Sequence, residues 1–520
     1  MELLCFHAAG VAQQVIARAG AAFSGGRLHW AVPALLVLAA FALRFWQFGN
    51  PLIQSDEQFY LLAGQRMWEG AWIYSDLWDR KPVGLFLLYA VFAKLGGGVY
   101  VYQIAATLFA AATAWVIVCI CRRWTSDRAA FCAGLLYLAA LNLIGGDGGQ
   151  SPVFYNLPMT LAGLCMIRAT GQTHLRCGAA WGAAAMLCAG IAIQIKYSAV
   201  FEGVFFGLVL MAWLWRARVR PAAFLGGSAV WALLGLLPTL AALAVYAAAG
   251  RGEDFVYANF VSIFARGDVP LGRQLGRLAD MVLILLPVLA AALAGLALAW
   301  RRNAPAARFA ALWFLASAFG LLLMGDFYDH YALPLLLPAA INAAVLFDAP
   351  GRWRWLGYGA AAYAVVAGGM HIAGNRAKYG IGADLAPFVR AIGMHPRGCL
   401  YIYQGPSSLY SLTGSCLVTR FAYPSHLSHV KEQDAIGVPQ GAELQRIMMH
   451  PPGFVLIEAA ADKNNARRSR AQIESALAQG YRPVLRAPIG RDTYVLYANR
   501  APGASAFDSG GLTKRGGNTR

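Results

Sequence analysis

Residues 83–97, "VGLFLLYAVFAKLGG", decide how this 520-residue chain is threaded. The stretch is apolar enough to enter a bilayer, but it is short and contains Lys94, whereas a spanning helix needs about 20 apolar residues. Counted as a span, it would move every later loop to the opposite side. We read it as a helix that lies along the membrane surface or only dips into it. Composition sets the frame for that reading. The chain is 59% hydrophobic and 13% charged, with a mean hydropathy of +0.51, against about 25% charged residues in a soluble domain. It is therefore read as a polytopic α-helical membrane protein.

Eleven spans are expected, near 29–48, 99–121, 129–145, 153–168, 178–195, 199–215, 222–249, 281–300, 308–324, 332–348 and 354–374. No short apolar core followed by a small-residue cleavage site precedes the first, so it reads as an uncleaved anchor. The net charge of +18 would suggest nucleic acid in a soluble protein, but in a membrane protein Lys and Arg mark cytoplasmic loops. With 83–97 off the list of spans, one set of loops holds Arg122, Arg123, Arg128, Arg168, Arg176, Arg216, Arg218, Arg220, Arg301, Arg302, Arg308, Arg352 and Arg354. The opposite set collects nearly all the acids of the membrane region. These include Asp56, Glu57, Glu69, Asp76 and Asp79 in the first loop, Asp147 in "GGDGGQSP", and Asp326 and Asp329 in "GDFYDHY". The positive-inside rule makes residues 1–28 a cytoplasmic segment, 29–374 the transmembrane domain, and the acidic face extracytoplasmic.

The spans stop near residue 375. Helical character at 384–393, 440–449 and 465–479 alternates with short strand-like runs, "CLYIYQ", "CLVTRF", "GFVLIE", "RPVLRAP" and "TYVLYAN". Residues 375–500 are expected to form a small extracytoplasmic α/β domain, and the Gly- and Ser-rich tail 501–520 to be disordered. The two cysteines of the α/β domain, Cys399 and Cys416, each open an expected strand. Neighbouring parallel strands lie about 4.8 Å apart, so a disulfide between those first residues is expected.

Residues 54–82, "QSDEQFYLLAGQRMWEGAWIYSDLWDRKP", interrupt the apolar chain with most of its chemistry. On a helix, Asp56 and Tyr60 share a face. A carboxylate there can take a proton from a hydroxyl within hydrogen-bond reach. Acids in a first turn also simply offset the helix dipole. Arg80 and Lys81, followed by Pro82, make an anion site at headgroup depth, or merely anchor a helix at the interface. Lys196, between two apolar spans, reads as a second phosphate contact or as the partner of Glu202. His330, with Asp326 and Asp329 close by, suits a metal ligand or a plain hydrogen-bonded pair.

These residues carry a resemblance. The first loop, with Asp56, Glu57, Tyr60, Gly70, Trp72, Lys81 and Pro82 in order, resembles that of the GT-C membrane glycosyltransferases that use polyprenyl-phosphate sugars. That group includes protein O-mannosyltransferases, the aminoarabinose transferase acting on lipid A, and rhizobial galacturonosyltransferases. "AGIAIQIKYSAV", "DHYALPLLLP" and "YIYQGPSSLYSLTGSCLVTRFAYP" are similar to further segments of the family, so the likeness covers about residues 30 to 500. The resemblance implies an inverting transfer of sugar from polyprenyl phosphate to a lipid, glycan or protein hydroxyl, in a bacterial inner membrane with the C-terminal domain periplasmic. It implies Asp56 as general base, with Glu57 and Asp147 as further acids. It implies Lys81 on the donor phosphate, where the residues themselves already suggest Arg80 and Lys196 as further contacts, and Tyr60, His330 and Tyr331 are expected along the cavity. Some members carry Glu directly before that Lys as part of a metal site; here the position is Arg80, so no metal ligand is assigned and a divalent metal stays an open possibility. The alternative class is a lipid or solute transporter, but transporters place charge near the midplane within paired repeats, and no repeat is evident here.

The topology is tested by reporter fusions. Fusions after residues 124 and 218 are expected to read cytoplasmic, and those after 150 and 400 extracytoplasmic; a cytoplasmic reading at 150 would make 83–97 a span.

Overall fold

The computed structural model describes residues 28–301, 305–460 and 464–500. The expected cytoplasmic segment, residue 28 excepted, and the expected disordered tail 501–520 lie outside the described residues. All eleven expected spans fall on helices. Among the described residues, eight helical stretches are long and apolar enough to cross a membrane: Val99–Cys121, Leu175–Ile193, Tyr197–Arg216, Pro221–Ala248, Leu271–Arg301, Pro305–Met324, Asp329–Phe347 and Trp353–Ile392. The other three, Leu28–Arg44, Asp127–Leu141 and Ser151–Thr170, are shorter or more polar. Ser151–Thr170 carries Asn156 and Thr160, yet it is buried along most of its length. Its polar groups bond protein instead of lipid, as spanning segments must: Asn156 donates to the Tyr137 hydroxyl (3.1 Å) and Thr160 to the Asn156 carbonyl (2.6 Å). Leu336–Phe347 is buried at every position and forms the centre of the bundle.

Helix Val83–Lys94 has 12 residues, so it is about 18 Å long, well short of a hydrocarbon core of about 30 Å. Leu87 and Val91 make an exposed stripe while Leu85, Phe86, Tyr89 and Phe92 are buried. It rests on the first-loop helix, Ser55–Trp68. Phe59 and Tyr60 meet Phe86 at ring-centre distances of 6.2 and 6.0 Å, and the Trp68 indole donates to the Ala90 carbonyl at 2.7 Å. The helices approach this closely because Gly64 has no side chain; a Cβ there would sit 2.6 Å from the Tyr89 backbone. At the other end of the bundle, Ser126 donates to Asp348 and Arg122 pairs with Asp127, so two of the basic loops lie together.

The C-terminal domain is a four-stranded mixed sheet in the order β1-β2-β4-β3, with β1 Leu400–Ile402, β2 Phe454–Glu458, β3 Tyr481–Ile489 and β4 Asp492–Asn499. Only the β1–β2 pair is parallel. The expected helices appear as Gly382–Ile392, Gln440–Met449 and Arg467–Gly480. The expected strand "CLVTRF" does not form. That segment is irregular and docks on the first loop: Val418 and Phe421 are buried in one cluster with Trp78, and the Trp78 amide donates to the Arg420 carbonyl at 2.8 Å. Propensity yielded to tertiary packing. Cys399 and Cys416 are nevertheless bonded, with Cα atoms 4.9 Å apart, though not as neighbouring strand starts. Ser415 accepts the Leu400 amide through its hydroxyl (2.7 Å), which ties the loop to the edge of β1 and brings the sulfurs together.

The crossing at Gly64 gives a test of the packing. Gly64→Ala is expected to destabilise the protein by about 1–3 kcal/mol, the usual cost of overpacking. Gly226→Ala, with nothing within 4 Å of the added carbon, is expected to be neutral or slightly stabilising. Equal melting temperatures for both variants would contradict the close crossing.

Candidate active site

The first-loop helix begins at Ser55 with Asp56 and Glu57 in its first turn, but the Gln54 side chain makes no capping bond. Offsetting the helix dipole accounts for where these acids sit, not for what they touch. Asp56 turns toward Lys81, with Oδ1 3.6 Å from Nζ, and accepts from the Gln150 amide at 3.3 Å. Lys81 reaches the same place from the link before the surface helix. Asp79 fixes it twice: Oδ1 accepts the Lys81 backbone amide (2.9 Å), and Oδ2 lies 3.3 Å from Nζ. The Lys81 ammonium also stands over the rings of Tyr60 (5.1 Å) and Tyr423 (5.7 Å). Asp56 and Tyr60 thus share a face, as the helical spacing predicts.

Lys196 comes from the link between Leu175–Ile193 and Tyr197–Arg216. That link is pressed against the start of the surface helix, where a Cβ on Gly84 would meet the Gln194 carbonyl at 2.5 Å. The Lys196 ammonium stands 4.5 Å from the centre of the Tyr331 ring, and His330 packs edge-on to Tyr331 at 4.9 Å. The expected alternative of a Lys196–Glu202 pair is not formed, because Glu202 accepts from the Trp313 indole (2.5 Å) and the Ser317 hydroxyl (2.9 Å). Asp326 is engaged by Lys431 and Arg266. Among the described residues no group of three or more His, Cys, Asp or Glu side chains is arranged to hold a metal ion.

The electrostatics separate the two adjacent acids. Burial pushes the Asp56 carboxyl up, but the Lys81 ammonium and the His330 ring outweigh it and hold Asp56 well below the usual carboxylate range. Burial opposes the charge on Lys81, yet Asp56 and Asp79 raise its pKa on balance. Burial pushes Lys196 down to about 7, with Asp56 opposing the shift and Lys81 adding to it. Glu57 belongs to a different environment. It is fully buried and pushed up to about 8 by burial, opposed by the Gly149 amide and reinforced by Asp147. Asp147 accepts from Gln47, beside the buried Arg44. The Gly-rich turn exists for this cluster, since a Cβ on Gly148 would lie 2.4 Å from the Glu57 carboxyl. Glu57 and Asp147, expected with Asp56, therefore form a buried support behind it.

Arg80 also departs from expectation. It pairs with Glu432 of the C-terminal domain at 2.5 Å and stacks on Trp78, so its charge is taken. The structure thus brings together Asp56, Tyr60, Lys81, Lys196, His330 and Tyr331 from four separate segments. Sequence reading gave no role to Asp79, Gln150 or Tyr423. Asp79 had a readable signal, because an Asp two residues before an amide commonly accepts it. Tyr423 had none, being more than 340 residues from Lys81.

Two crystal structures of ArnT from Cupriavidus metallidurans share this architecture. The apo form aligns with a TM-score of 0.60 at 17% identity, covering 90% of this chain and 97% of that one. The form bound to undecaprenyl phosphate gives 0.63 at 16% identity, covering 91% and 98%. At such identity the likeness is one of fold. No protein-family model matches the sequence, and no curated protein sequence is significantly similar to it.

The Glu57 environment predicts a pH effect on stability. With its carboxyl raised from 4.5 to about 8, the folded state keeps a proton that the unfolded chain releases. The stabilisation is complete below about pH 4.5, declines above it, and is lost as pH rises through 8, on the order of a few kcal/mol. The melting temperature of the wild type is expected to fall across that window and that of Glu57→Gln to change less. Parallel curves would contradict this placement.

Proposed function

The chain has the GT-C fold, and from that premise we propose that it is a membrane glycosyltransferase moving a sugar from a polyprenyl phosphate to a hydroxyl acceptor. The observation that carries this reading is the ion pair of Asp56 with Lys81, with a second lysine, Lys196, over the Tyr331 ring at the same end of the bundle, the end that bears the C-terminal domain. A polyprenyl-phosphate sugar presents a phosphodiester at headgroup depth, and the bond from its phosphate oxygen to the anomeric carbon is the one to be broken. The bound undecaprenyl phosphate of the ArnT structure supports the same lipid class here. By the positive-inside rule the basic end faces the cytoplasm and the site faces outward, in a bacterial inner membrane with the C-terminal domain periplasmic.

In this reading the acceptor hydroxyl gives its proton to Asp56 while its oxygen attacks the anomeric carbon from the side opposite the phosphate. The bond from carbon to phosphate oxygen breaks, polyprenyl phosphate leaves with a second negative charge, and the configuration inverts. Stabilising that charge is the main demand, which Lys81 and Lys196 meet in a partly desolvated place. The ion pair with Lys81 holds Asp56 weakly basic before the donor binds. A phosphate that draws Lys81 toward itself loosens that pair and makes Asp56 a better base, so donor binding prepares the site for catalysis. Lys196, lowered to about 7, is recharged by the arriving anion.

Two measurements test this. In a deletion strain, mass spectrometry of envelope glycolipids and glycoproteins identifies the product; Asp56→Asn is expected to lower it by at least about a hundredfold, and near-normal product would end the assignment. For purified protein, affinity for undecaprenyl phosphate is expected to weaken steadily as pH rises above about 7, because binding must then return a proton to Lys196, and to stay flat over the same range in Lys196→Arg.

A further inference from the structure

The C-terminal domain reaches into the site through Tyr423, in the segment "FAYP" at 421–424. Its ring packs edge-on against Phe59 of the first-loop helix (5.5 Å) and His426 (5.2 Å). Its hydroxyl lies 3.1 Å from the hydroxyl of Ser55, the residue before Asp56 on the first-loop helix. Its face, with that of Tyr60, encloses the Lys81 ammonium. The residue is half-buried.

Its position is set by the docking of the whole domain. The Ser408 amide donates to Gln58 (3.2 Å), the Ser411 hydroxyl to Gln65 (2.7 Å), and Arg80 pairs with Glu432. These contacts hold the domain along the first-loop helix and the link that follows it, the two segments that supply Asp56 and Lys81. A domain tethered only by its chain to the last span would have no need of them.

We propose that Tyr423 is a positioning residue for the Asp56–Lys81 pair, so that the C-terminal domain completes the active site. The inference rests on the reading of Asp56 and Lys81 given above. The hydroxyl, bonded to Ser55, fixes the first turn of the helix that carries Asp56 and so the direction of its carboxylate, as a supporting hydrogen bond does for a catalytic group. The ring covers one side of the ammonium by a cation–π contact and leaves the other side for phosphate. The two parts of the side chain therefore serve different steps and can be removed separately.

The test uses the full-length protein, with undecaprenyl phosphate as the binding probe and the envelope product of a complemented deletion strain as the catalytic readout. Tyr423→Phe keeps the ring and the packing; it is expected to bind undecaprenyl phosphate within about twofold of wild type while product falls roughly tenfold. Tyr423→Leu loses the ring, and its affinity is expected to fall by about five- to tenfold as well. Wild-type product from Tyr423→Phe, or equal loss of binding in both variants, overturns the proposal. Asp56→Asn in the same strain separates the two levels. If it still makes product, the reading of the site has failed; if it makes none while Tyr423→Phe behaves as wild type, only the role of Tyr423 has.

Discussion

The Lys81 ammonium, held between the carboxylates of Asp56 and Asp79 and beneath two tyrosine rings, is the interaction on which the rest of the site depends. Withdrawing such a charge from water is expensive unless its partners are already in place. Here they are placed by covalent geometry and by close packing. Asp79 is preset by its bond to the Lys81 amide, two residues on. Asp56 is preset by the first-loop helix, which sits where Gly64 lets it touch the surface helix. Pro82 at the N-cap starts the surface helix directly after Lys81. The backbone of Lys81 is therefore tied to the helix on which the site is built, while its side chain is free to turn toward a donor.

That dependence explains what was legible in the sequence. Asp56 and Tyr60 are one helical turn apart, so their common face follows from periodicity alone. Lys196 stood out between two apolar spans and His330 beside two acids, Tyr331 came with the family resemblance, and the fold gathers the three at the same rim. Adjacency was a poorer guide. Glu57 follows Asp56, but one step along a helix turns by about 100°, enough to point it into the buried cluster with Asp147 and Arg44. Arg80 precedes Lys81, yet its charge goes to Glu432. The disulfide was inferred from two strands, one of which does not exist; the real cause is a loop fastened to the strand edge through Ser415. Such details depend on docking between segments hundreds of residues apart, which local pattern does not encode.

The C-terminal domain shares apolar cores with the bundle and the first loop, and polar contacts tie its rim. Glu432 lies between Arg80 and Arg266, and burial, which would push its carboxyl up, is outweighed by the two arginines, holding it down to about 2. Asp326 joins the same network through Lys431 and Arg266. First loop, later loop and domain are thus linked around the rim by charges that satisfy one another, while Lys81 and Lys196 keep a side open. In the proposed function, Lys81 and Lys196 are the cations of this rim that meet the phosphate.

A structure of the protein determined with undecaprenyl phosphate tests this most directly. The account predicts the phosphate in contact with both Lys81 and Lys196, next to Asp56, with Arg80 still on Glu432. A phosphate held elsewhere, or one bound by Arg80 after it has left Glu432, would contradict it.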